Sequence, residues 1–296
     1  MKLRELGEDR LIARLLVHAR ARPDVIAGPG DDCAVVVLPG KKRLLLLKTD
    51  CVVEKVHFSP NENPGAVGWK AMMRTLSDFA AMSGLPQFAL VTLIAPAERE
   101  AGWVTRLYPG LQRAADRFTV AIVGGETSST SGPLIVSVSA VGLVERARCV
   151  RRSGGRAGDI LFVTGRLGGS GRSRHLKFMP RLEEARWLTE NFRIHAMMDL
   201  SDGLGADLPR LAKASGVGFA LEEEALPRTR GCSITDAIND GEDYELLFAL
   251  SPNDADVLGK KWRQKFPRLP LTRIGHLTQP ASRNTNHGFH GFVHFQ

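Results

Sequence analysis

The amino-acid sequence predicts a two-domain α/β (α+β) protein. The chain has 296 residues, a length that suits two domains of ordinary size. Hydrophobic residues make up 43% and charged residues 24%, close to the averages of globular proteins. Stretches with strand-like and helix-like spacing alternate along the chain, as they do in mixed α/β folds.

One stretch, Arg146–Gly158, is rich in Arg and Gly and indicates a linker between the domains. We therefore expect an N-terminal domain over residues 1–145 and a C-terminal domain over residues 146–296.

Apolar spacing predicts the elements within each domain. In the first domain we expect helices at Leu6–Ala19, Pro64–Ser83 and Glu98–Arg117, and strands at Cys33–Leu38, Arg43–Thr49, Gln87–Ile94, Thr119–Val123 and Leu134–Val144. In the second domain we expect strands at Ile160–Thr164, Tyr244–Leu250 and Leu271–Gly275, and helices at Asp202–Ala214 and Asn253–Phe266. Ser201 is a candidate N-cap for the first of these two helices.

Composition narrows the class of function. The longest apolar runs, such as Phe88–Ala95, fall short of the roughly 20 residues that a membrane helix needs. Met1–Arg10 carries Glu5, Glu8 and Asp9 and lacks the apolar core of a secretory signal, and the four cysteines form no C-x-x-C pair, so we expect a cytoplasmic protein. The net charge of +8 attracts polyanions, but no base-reading motif is present, and we expect phosphorylated ligands rather than nucleic acid.

Acidic residues recur in short motifs, most of which contain glycine. The motifs are Gly30-Asp31-Asp32, Lys48-Thr49-Asp50, Leu76-Ser77-Asp78, Gly124-Gly125-Glu126-Thr127, Asp199-Leu200-Ser201-Asp202-Gly203 and Gly241-Glu242-Asp243-Tyr244-Glu245. Magnesium prefers oxygen ligands, and several carboxylates that converge suit several magnesium ions on a polyphosphate. Glycine lets backbone N–H groups approach phosphate oxygens. Each motif by itself is also an ordinary turn or cap sequence, so the residues leave a solvated-turn interpretation open.

Motifs of the common ATP-binding classes are missing from the sequence. It contains neither a G-x-x-x-x-G-K-[ST] loop nor the H-R-D motif of protein kinases, and the glycines of Gly165–Gly171 stand in a different order. A phosphate site in this chain must therefore be built in another way.

Taken together and in order, the motifs resemble the thiamine-monophosphate kinase family, within the superfamily of aminoimidazole ribonucleotide synthetase and selenophosphate synthetase. The resemblance also runs through Val56-His57-Phe58, Phe79-Ala80-Ala81-Met82 and Arg152-Ser153-Gly154-Gly155 with Gly158-Asp159. It implies an N-terminal mixed-sheet domain that pairs in a homodimer and a C-terminal α+β domain that closes over the active site.

The resemblance also implies an activity, namely ATP-dependent phosphorylation of thiamine monophosphate to thiamine diphosphate with magnesium. It assigns magnesium to Asp32, Asp50, Asp78, Glu126, Asp199 and Asp202, ATP to Thr49, Gly124, Gly125, Arg152 and Ser201, and thiamine monophosphate to His57, Glu242 and Phe292. Asp202 and Arg152 are the expected catalytic residues. Another ATP-dependent enzyme of the superfamily and a non-catalytic relative that binds Mg-ATP are the alternatives.

Three features depart from the family's pattern. Glu126 stands where aspartate is usual, and Lys48 stands where a hydroxyl residue is common. An ammonium group at this position would weaken a nearby metal or replace it. The stretch Gly165–Arg181 is shorter than the helical region that the family carries there.

Overall fold

The structure, a computed structural model, describes residues 1–18, 22–172, 174–280 and 291. Its first half forms a six-stranded sheet with strand order β1-β2-β3-β6-β4-β5. The strands are β1 (Val25–Ala27), β2 (Ala34–Val37), β3 (Arg43–Val53), β4 (Leu85–Ala95), β5 (Ala121–Ser129) and β6 (Ile135–Glu145). Only the β4–β5 pair is parallel among the pairs described, so the sheet is mixed.

The helices of the first half are α1 (Leu3–Leu6), α2 (Glu8–Leu16), α3 (Pro64–Ala81) and α4 (Ala101–Arg117). Helix α3 is buried along most of its length and packs across β3 and β6. It begins after Asn63, whose side chain accepts the Ala66 N–H at 3.2 Å, and Pro64 occupies the first turn, where its missing N–H costs nothing.

The second half forms a five-stranded antiparallel sheet with strand order β8-β10-β7-β11-β9. Its strands are β7 (Ile160–Thr164), β8 (Ile194–Asp199), β9 (Gly218–Leu221), β10 (Leu246–Leu250) and β11 (Leu271–Thr278), and its helices are α5 (Leu182–Asn191), α6 (Leu204–Ser215), α7 (Ile234–Asn239) and α8 (Pro252–Lys265). Strands β7 and β10 are buried at every position, because helices cover both faces of the sheet.

A single apolar core joins the two halves. Phe79 of α3 lies in the same buried cluster as Leu188 of α5 and Phe248 of β10. Polar contacts support this packing, since Arg186 of α5 donates to the Ser83 carbonyl at 2.8 Å and to Oε2 of Glu145 at 2.7 Å. Side chains of both halves can therefore be held at fixed distances from one another.

The predicted two-part mixed α/β architecture is confirmed, while the boundary between residues 145 and 146 stays a prediction. The predicted helix Leu6–Ala19 is wrong in its first turn, because Gly7 has φ = +75° and separates α1 from α2; Ala19 lies outside the described residues. Four strands, β3, β4, β5 and β11, are longer than predicted, and two of these differences affect the site. Strand β3 continues through Asp50 to Val53, and β5 contains Gly124–Thr127 within it rather than ending before them.

Among the described residues, no helix is both long enough and apolar enough to cross a bilayer.

Candidate active site

Three buried aspartates meet where the two sheets join. Asp32 precedes β2, Asp78 lies on α3 and Asp199 ends β8, and each offers a carboxylate oxygen within 4.8 Å of the others. All three were predicted to bind magnesium, and the fold brings them together from three separate elements.

Two oxygens of this cluster lack a hydrogen-bond partner. Asp32 accepts from Arg152 at 2.7 Å through Oδ1, and Asp199 accepts from Ser77 Oγ at 2.6 Å through Oδ2. The remaining oxygens, Asp32 Oδ2 and Asp199 Oδ1, are buried and unpaired. Buried polar atoms are normally satisfied, so this pair indicates an absent ligand. Hard carboxylate oxygens in such a position fit a magnesium ion.

Electrostatics lead to the same interpretation. Burial and then the nearby Asp32 carboxylate raise the pKa of Asp199 to about 7. Burial also raises the pKa of Asp78 well above its usual range. At neutral pH the three carboxyl groups are therefore not all ionised unless a cation binds beside them.

Lys48 and Asp50 lie beside Asp78 on the same side of the sheet. The ammonium of Lys48 donates to Oδ1 of Asp78 at 2.7 Å and lies 3.8 Å from Oδ2 of Asp50. Arg74 of α3 approaches the other Asp50 oxygen at 3.7 Å. Burial opposes ionisation of Asp50, but Lys48 and Arg74 outweigh it and lower the pKa of this carboxyl.

The loop before α6 is held by a residue that the sequence did not single out. Oδ2 of Asp207 accepts the backbone N–H of Ser201 at 3.1 Å and that of Asp202 at 3.0 Å. The prediction of Ser201 as N-cap is wrong, because Gly203 occupies that position with φ = +100°. A side chain at Gly203 would also meet the Asp240 carbonyl at 2.8 Å, so the turn requires glycine.

Two cavities share a wall at this loop. The larger, of about 630 Å³, is lined by carboxylates and basic residues, among them Asp31, Lys48, Asp50, Asp78, Arg152, Asp199 and Arg210. The smaller, of about 250 Å³, is lined by residues that include Val56, His57, Gly169, Gly171, Arg172, Asp240, Gly241 and Glu242. The shared residues are Arg74, Ser201, Asp202 and Tyr244.

Glu242 is held ionised in the smaller cavity. Its Oε1 lies 2.6 Å from Nζ of Lys70, and its Oε2 lies 3.1 Å from Nδ1 of His175. Burial opposes ionisation, yet these two partners lower the pKa of Glu242 to about 2. Glu242 also adopts φ = +62°, and Tyr244 φ = +51°, which is an uncommon backbone conformation for such side chains. Strain of this kind marks a segment whose shape is fixed by its surroundings.

Known families match both halves of the chain. The AIR synthase related protein, N-terminal domain, matches residues 30–144, and the corresponding C-terminal domain matches residues 156–282. The thiamine-monophosphate kinase of Rhodopirellula baltica is 37% identical over 286 residues, which cover 90% of this chain and 88% of that protein. The thiamine-monophosphate kinase of Aquifex aeolicus is 37% identical over 307 residues, which cover 94% of each. This chain belongs to the thiamine-monophosphate kinase family.

The fold agrees with this assignment. A solved structure of AaThiL complexed with AMPPCP and TMP matches with a TM-score of 0.83 and 32% sequence identity, over 99% of each chain. The family resemblance drawn from the motifs is thereby confirmed.

The structure places several of the family's expected residues away from the aspartate cluster. Side chains alternate between the faces of a strand, so Lys48 and Asp50 face α3, while Thr49 lies on the open face, within 3.0 Å of Ser139. Glu126 is exposed on β5, and its cross-strand neighbours place it on this same open face. Strands β6 and β4 separate β5 from β3, about 14 Å at usual strand spacing, so Glu126 does not reach the cluster of its own chain.

Three further residues, Gly124, Gly125 and Phe292, were expected to bind substrates. Gly125 is required by packing, because a side chain there would lie 1.8 Å from the Val91 carbonyl; its role toward ATP, and that of Gly124, stays a prediction. Phe292 lies outside the described residues.

Sequence reasoning missed Lys70, Arg74, His175 and Asp207. Three acidic or basic residues, Lys70, Arg74 and Asp78, follow each other at intervals of four on α3 and so share one helix face, a spacing that could have revealed the first two. The other two gave no comparable signal, because His175 and Asp207 acquire their roles only through contacts made in the fold.

Proposed function

We propose that this protein transfers the γ-phosphoryl group of ATP to thiamine monophosphate, giving thiamine diphosphate and ADP. The names of its relatives support this reaction, and so does the match to a structure that contains AMPPCP and TMP. The observation that carries the proposal is the pair of cavities with one shared wall, since in-line transfer requires the donor and acceptor phosphates to meet.

The larger cavity is the ATP side of the proposed site. Asp32, Asp50, Asp78, Asp199 and Asp202 would hold magnesium, which neutralises the polyphosphate charge when it is bound. Arg152 and the Ser201 loop would contact the nucleotide. Thr49, Gly124 and Gly125 lie outside the lining of this cavity and would contact the nucleotide of a partner subunit in the homodimer. Asp207 fixes the Ser201 loop through two backbone hydrogen bonds and so supports this arrangement.

The smaller cavity is the thiamine side. Thiamine carries a permanent positive charge on its thiazolium ring, and the ionised Glu242 supplies a complementary charge. His57 lines the same cavity. Its Nδ1 accepts the Val53 N–H at 3.0 Å, which fixes the orientation of the ring. Phe292 is assigned to this side through the family pattern.

The chemistry needs positioning and charge neutralisation more than a base. The second pKa of a phosphate monoester is about 6, so the acceptor is largely ionised at neutral pH. Negative charge spreads over the transferring group in the transition state. Arg74 lines both cavities and is therefore placed to meet that charge, with Asp202 and Arg152 close to the same loop.

A homodimer completes the proposal. The open face of the first sheet exposes Leu47, Phe88 and Leu90, and it also carries Thr49 and Glu126. Burial of such an apolar face against a second copy would be favourable. Glu126 would then serve the site of the partner subunit, which accounts for its distance from the aspartates of its own chain. A cytoplasmic location belongs to the same proposal and agrees with four free cysteines.

A product assay tests the proposed function. Purified protein is incubated with Mg-ATP and thiamine monophosphate, and thiamine diphosphate is separated by chromatography. We expect magnesium-dependent product, at least tenfold less with Asp50→Asn, and an unchanged rate with the exposed control Asp256→Asn. Binding of Mg-ATP without product would instead support a different acceptor or a non-catalytic relative.

A further inference from the structure

We propose that Lys48 takes the place of one magnesium ion. On this proposal the ammonium of Lys48 fills the space between Oδ1 of Asp78 and Oδ2 of Asp50 where a further magnesium ion would bind. The remaining magnesium ions bind through the other carboxylate oxygens of the site, among them those of Asp32 and Asp199. The inference rests on the proposed magnesium site and adds that this chain binds one divalent cation fewer there, because Lys48 replaces it.

The position of the ammonium supports this assignment. Nζ of Lys48 lies between two carboxylates, 2.7 Å from Oδ1 of Asp78 and 3.8 Å from Oδ2 of Asp50. Its side chain is 22% exposed and faces α3 because of its place on β3. The cross-strand neighbour on β6 is Ala140, which is small and leaves space for the lysine stem.

The hydrogen bonds divide the cluster into two parts. Among the described residues, the buried side-chain oxygens without a partner belong to Asp32 and Asp199. Asp78 has the same kind of buried carboxylate, but its Oδ1 is taken by Lys48. Lys48 thus supplies the cation at Oδ1 of Asp78, whereas the unpaired oxygens of Asp32 and Asp199 remain free to bind a divalent cation.

An ammonium and a magnesium ion do not bind together at Oδ1 of Asp78. Magnesium binds oxygen at about 2.1 Å, so an ion on Oδ1 of Asp78 would lie within about 5 Å of Nζ. Repulsion between the two cations at this distance disfavours joint occupancy. An ammonium also has only donors and cannot act as a ligand, whereas a hydroxyl in the same position could.

The test counts bound metal without turnover. Mn²⁺ binding to full-length protein is measured by electron paramagnetic resonance in the presence of a non-hydrolysable ATP analogue. We expect Lys48→Thr to bind one more Mn²⁺ per chain than the wild type. Lys42→Thr, which removes an exposed lysine just before β3, should leave the number unchanged. Equal numbers for Lys48→Thr and wild type, or a smaller number for the variant, would overturn the proposal.

A second pair of variants keeps the test informative if Lys48→Thr does not fold. Lys48→Ser should likewise bind one more Mn²⁺ than the wild type, whereas Lys48→Arg, which keeps a cation beside Asp50 and Asp78, should leave the number unchanged. An unchanged number in Lys48→Ser, or a raised number in Lys48→Arg, contradicts the inference. Because no turnover is involved, the expected metal numbers without thiamine diphosphate would count against the proposed reaction alone.

Discussion

The ammonium of Lys70 forms an ion pair with Glu242, with 2.6 Å between Nζ and Oε1, and Lys70 itself is fully buried. The same Nζ donates to the His57 carbonyl at 2.5 Å and lies 2.6 Å from Nδ1 of His175. One lysine of α3 therefore contacts two of the residues assigned to the thiamine side of the site, His57 and Glu242.

Replacement of Lys70 by Met should destabilise the protein and weaken substrate binding. Loss of one partner of a buried ion pair costs about 3–5 kcal/mol, because the other charge stays buried and unpaired. Urea unfolding measures this loss, and KM for thiamine monophosphate should rise at the same time. The exposed control Lys260→Met should change the free energy of unfolding by less than about 0.5 kcal/mol.

The Lys70–Glu242 pair also predicts a pH dependence of substrate binding. Burial lowers the pKa of Lys70 to about 8, with Arg74 adding to the effect and Glu242 opposing it, while the pKa of Glu242 is about 2. Both groups are charged between these values. Above about pH 8 Lys70 loses its proton and holds Glu242 less firmly, so KM for thiamine monophosphate should increase.

The measurement is a comparison of two KM profiles between pH 7 and pH 10. KM for thiamine monophosphate should rise above about pH 8, whereas KM for ATP in the same buffers should not. A rise of both KM values at the same pH would argue against Lys70 as the cause. The loss of the Lys70 proton has the opposite effect on the free energy of unfolding, which it should increase. The folded pKa lies below the ordinary value of 10.5, so this group's contribution to stability rises between about pH 8 and 10.5.

Acid should weaken the contact between Glu145 and Arg186. The hydrogen bond from Arg186, opposed by partial burial, lowers the pKa of Glu145 from 4.5 to about 2. The stabilisation is therefore complete above about pH 4.5 and is lost as the pH falls toward 2. Solvent screens this partly exposed pair, so we expect about 1 kcal/mol at pH 7.

Urea unfolding of wild type and Glu145→Gln between pH 7 and pH 3 checks this prediction. The difference in free energy of unfolding should narrow as the pH decreases below 4.5. A difference that stays constant would show that Glu145 acts through packing rather than through charge.

Asp207 should affect turnover more than folding when it becomes Asn. The amide keeps one oxygen acceptor for the N–H groups of Ser201 and Asp202, but its NH₂ group replaces Oδ1, which accepts a hydrogen bond from Arg210 at 2.9 Å. Small displacements of a catalytic loop cost up to about 100-fold in rate. We therefore expect kcat to fall at least tenfold while the thermal midpoint changes by only a few degrees. An unchanged kcat in Asp207→Asn would show that Asp207 does not position the Ser201 loop for catalysis.

Subunit complementation tests the assignment of Glu126 to the partner's site. Asp50→Asn and Glu126→Gln should each be inactive as pure proteins. After the two are mixed in equal amounts and refolded together, half of the dimers contain both chains, and each of these has one intact site. Activity should then return to about a quarter of the wild-type value. No recovery would place both residues in the site of one chain.

The resemblance to the family assigned Asp32, Asp78 and Asp199 to one site, although each motif by itself is an ordinary turn or cap sequence. The three residues lie together in the structure, and their role toward magnesium stays a prediction. Glu126 shows the limit of this reasoning. Its motif was expected after the end of a strand, but β5 runs through it, and strand register then determines which face the side chain occupies.

Other features depend on contacts that no local pattern encodes. The four-residue spacing of Lys70 from Arg74 marks its face of α3, but its partner Glu242 comes from a distant loop and no local pattern indicates it. Strand β8 and helix α5 were not predicted, since Ile194–Asp199 and Leu182–Asn191 are short and their apolar residues fit several periods.

The aspartate cluster also has a consequence for folding kinetics. The hydrogen bond from Ser77 to Asp199 joins residues 122 positions apart, and that from Arg152 to Asp32 joins residues 120 positions apart. Closing such long loops costs entropy, so these contacts form late. Magnesium should then slow unfolding and leave the refolding rate nearly unchanged, a difference that stopped-flow measurements with and without the ion would resolve. We therefore expect the lifetime of the native protein to increase with the magnesium concentration.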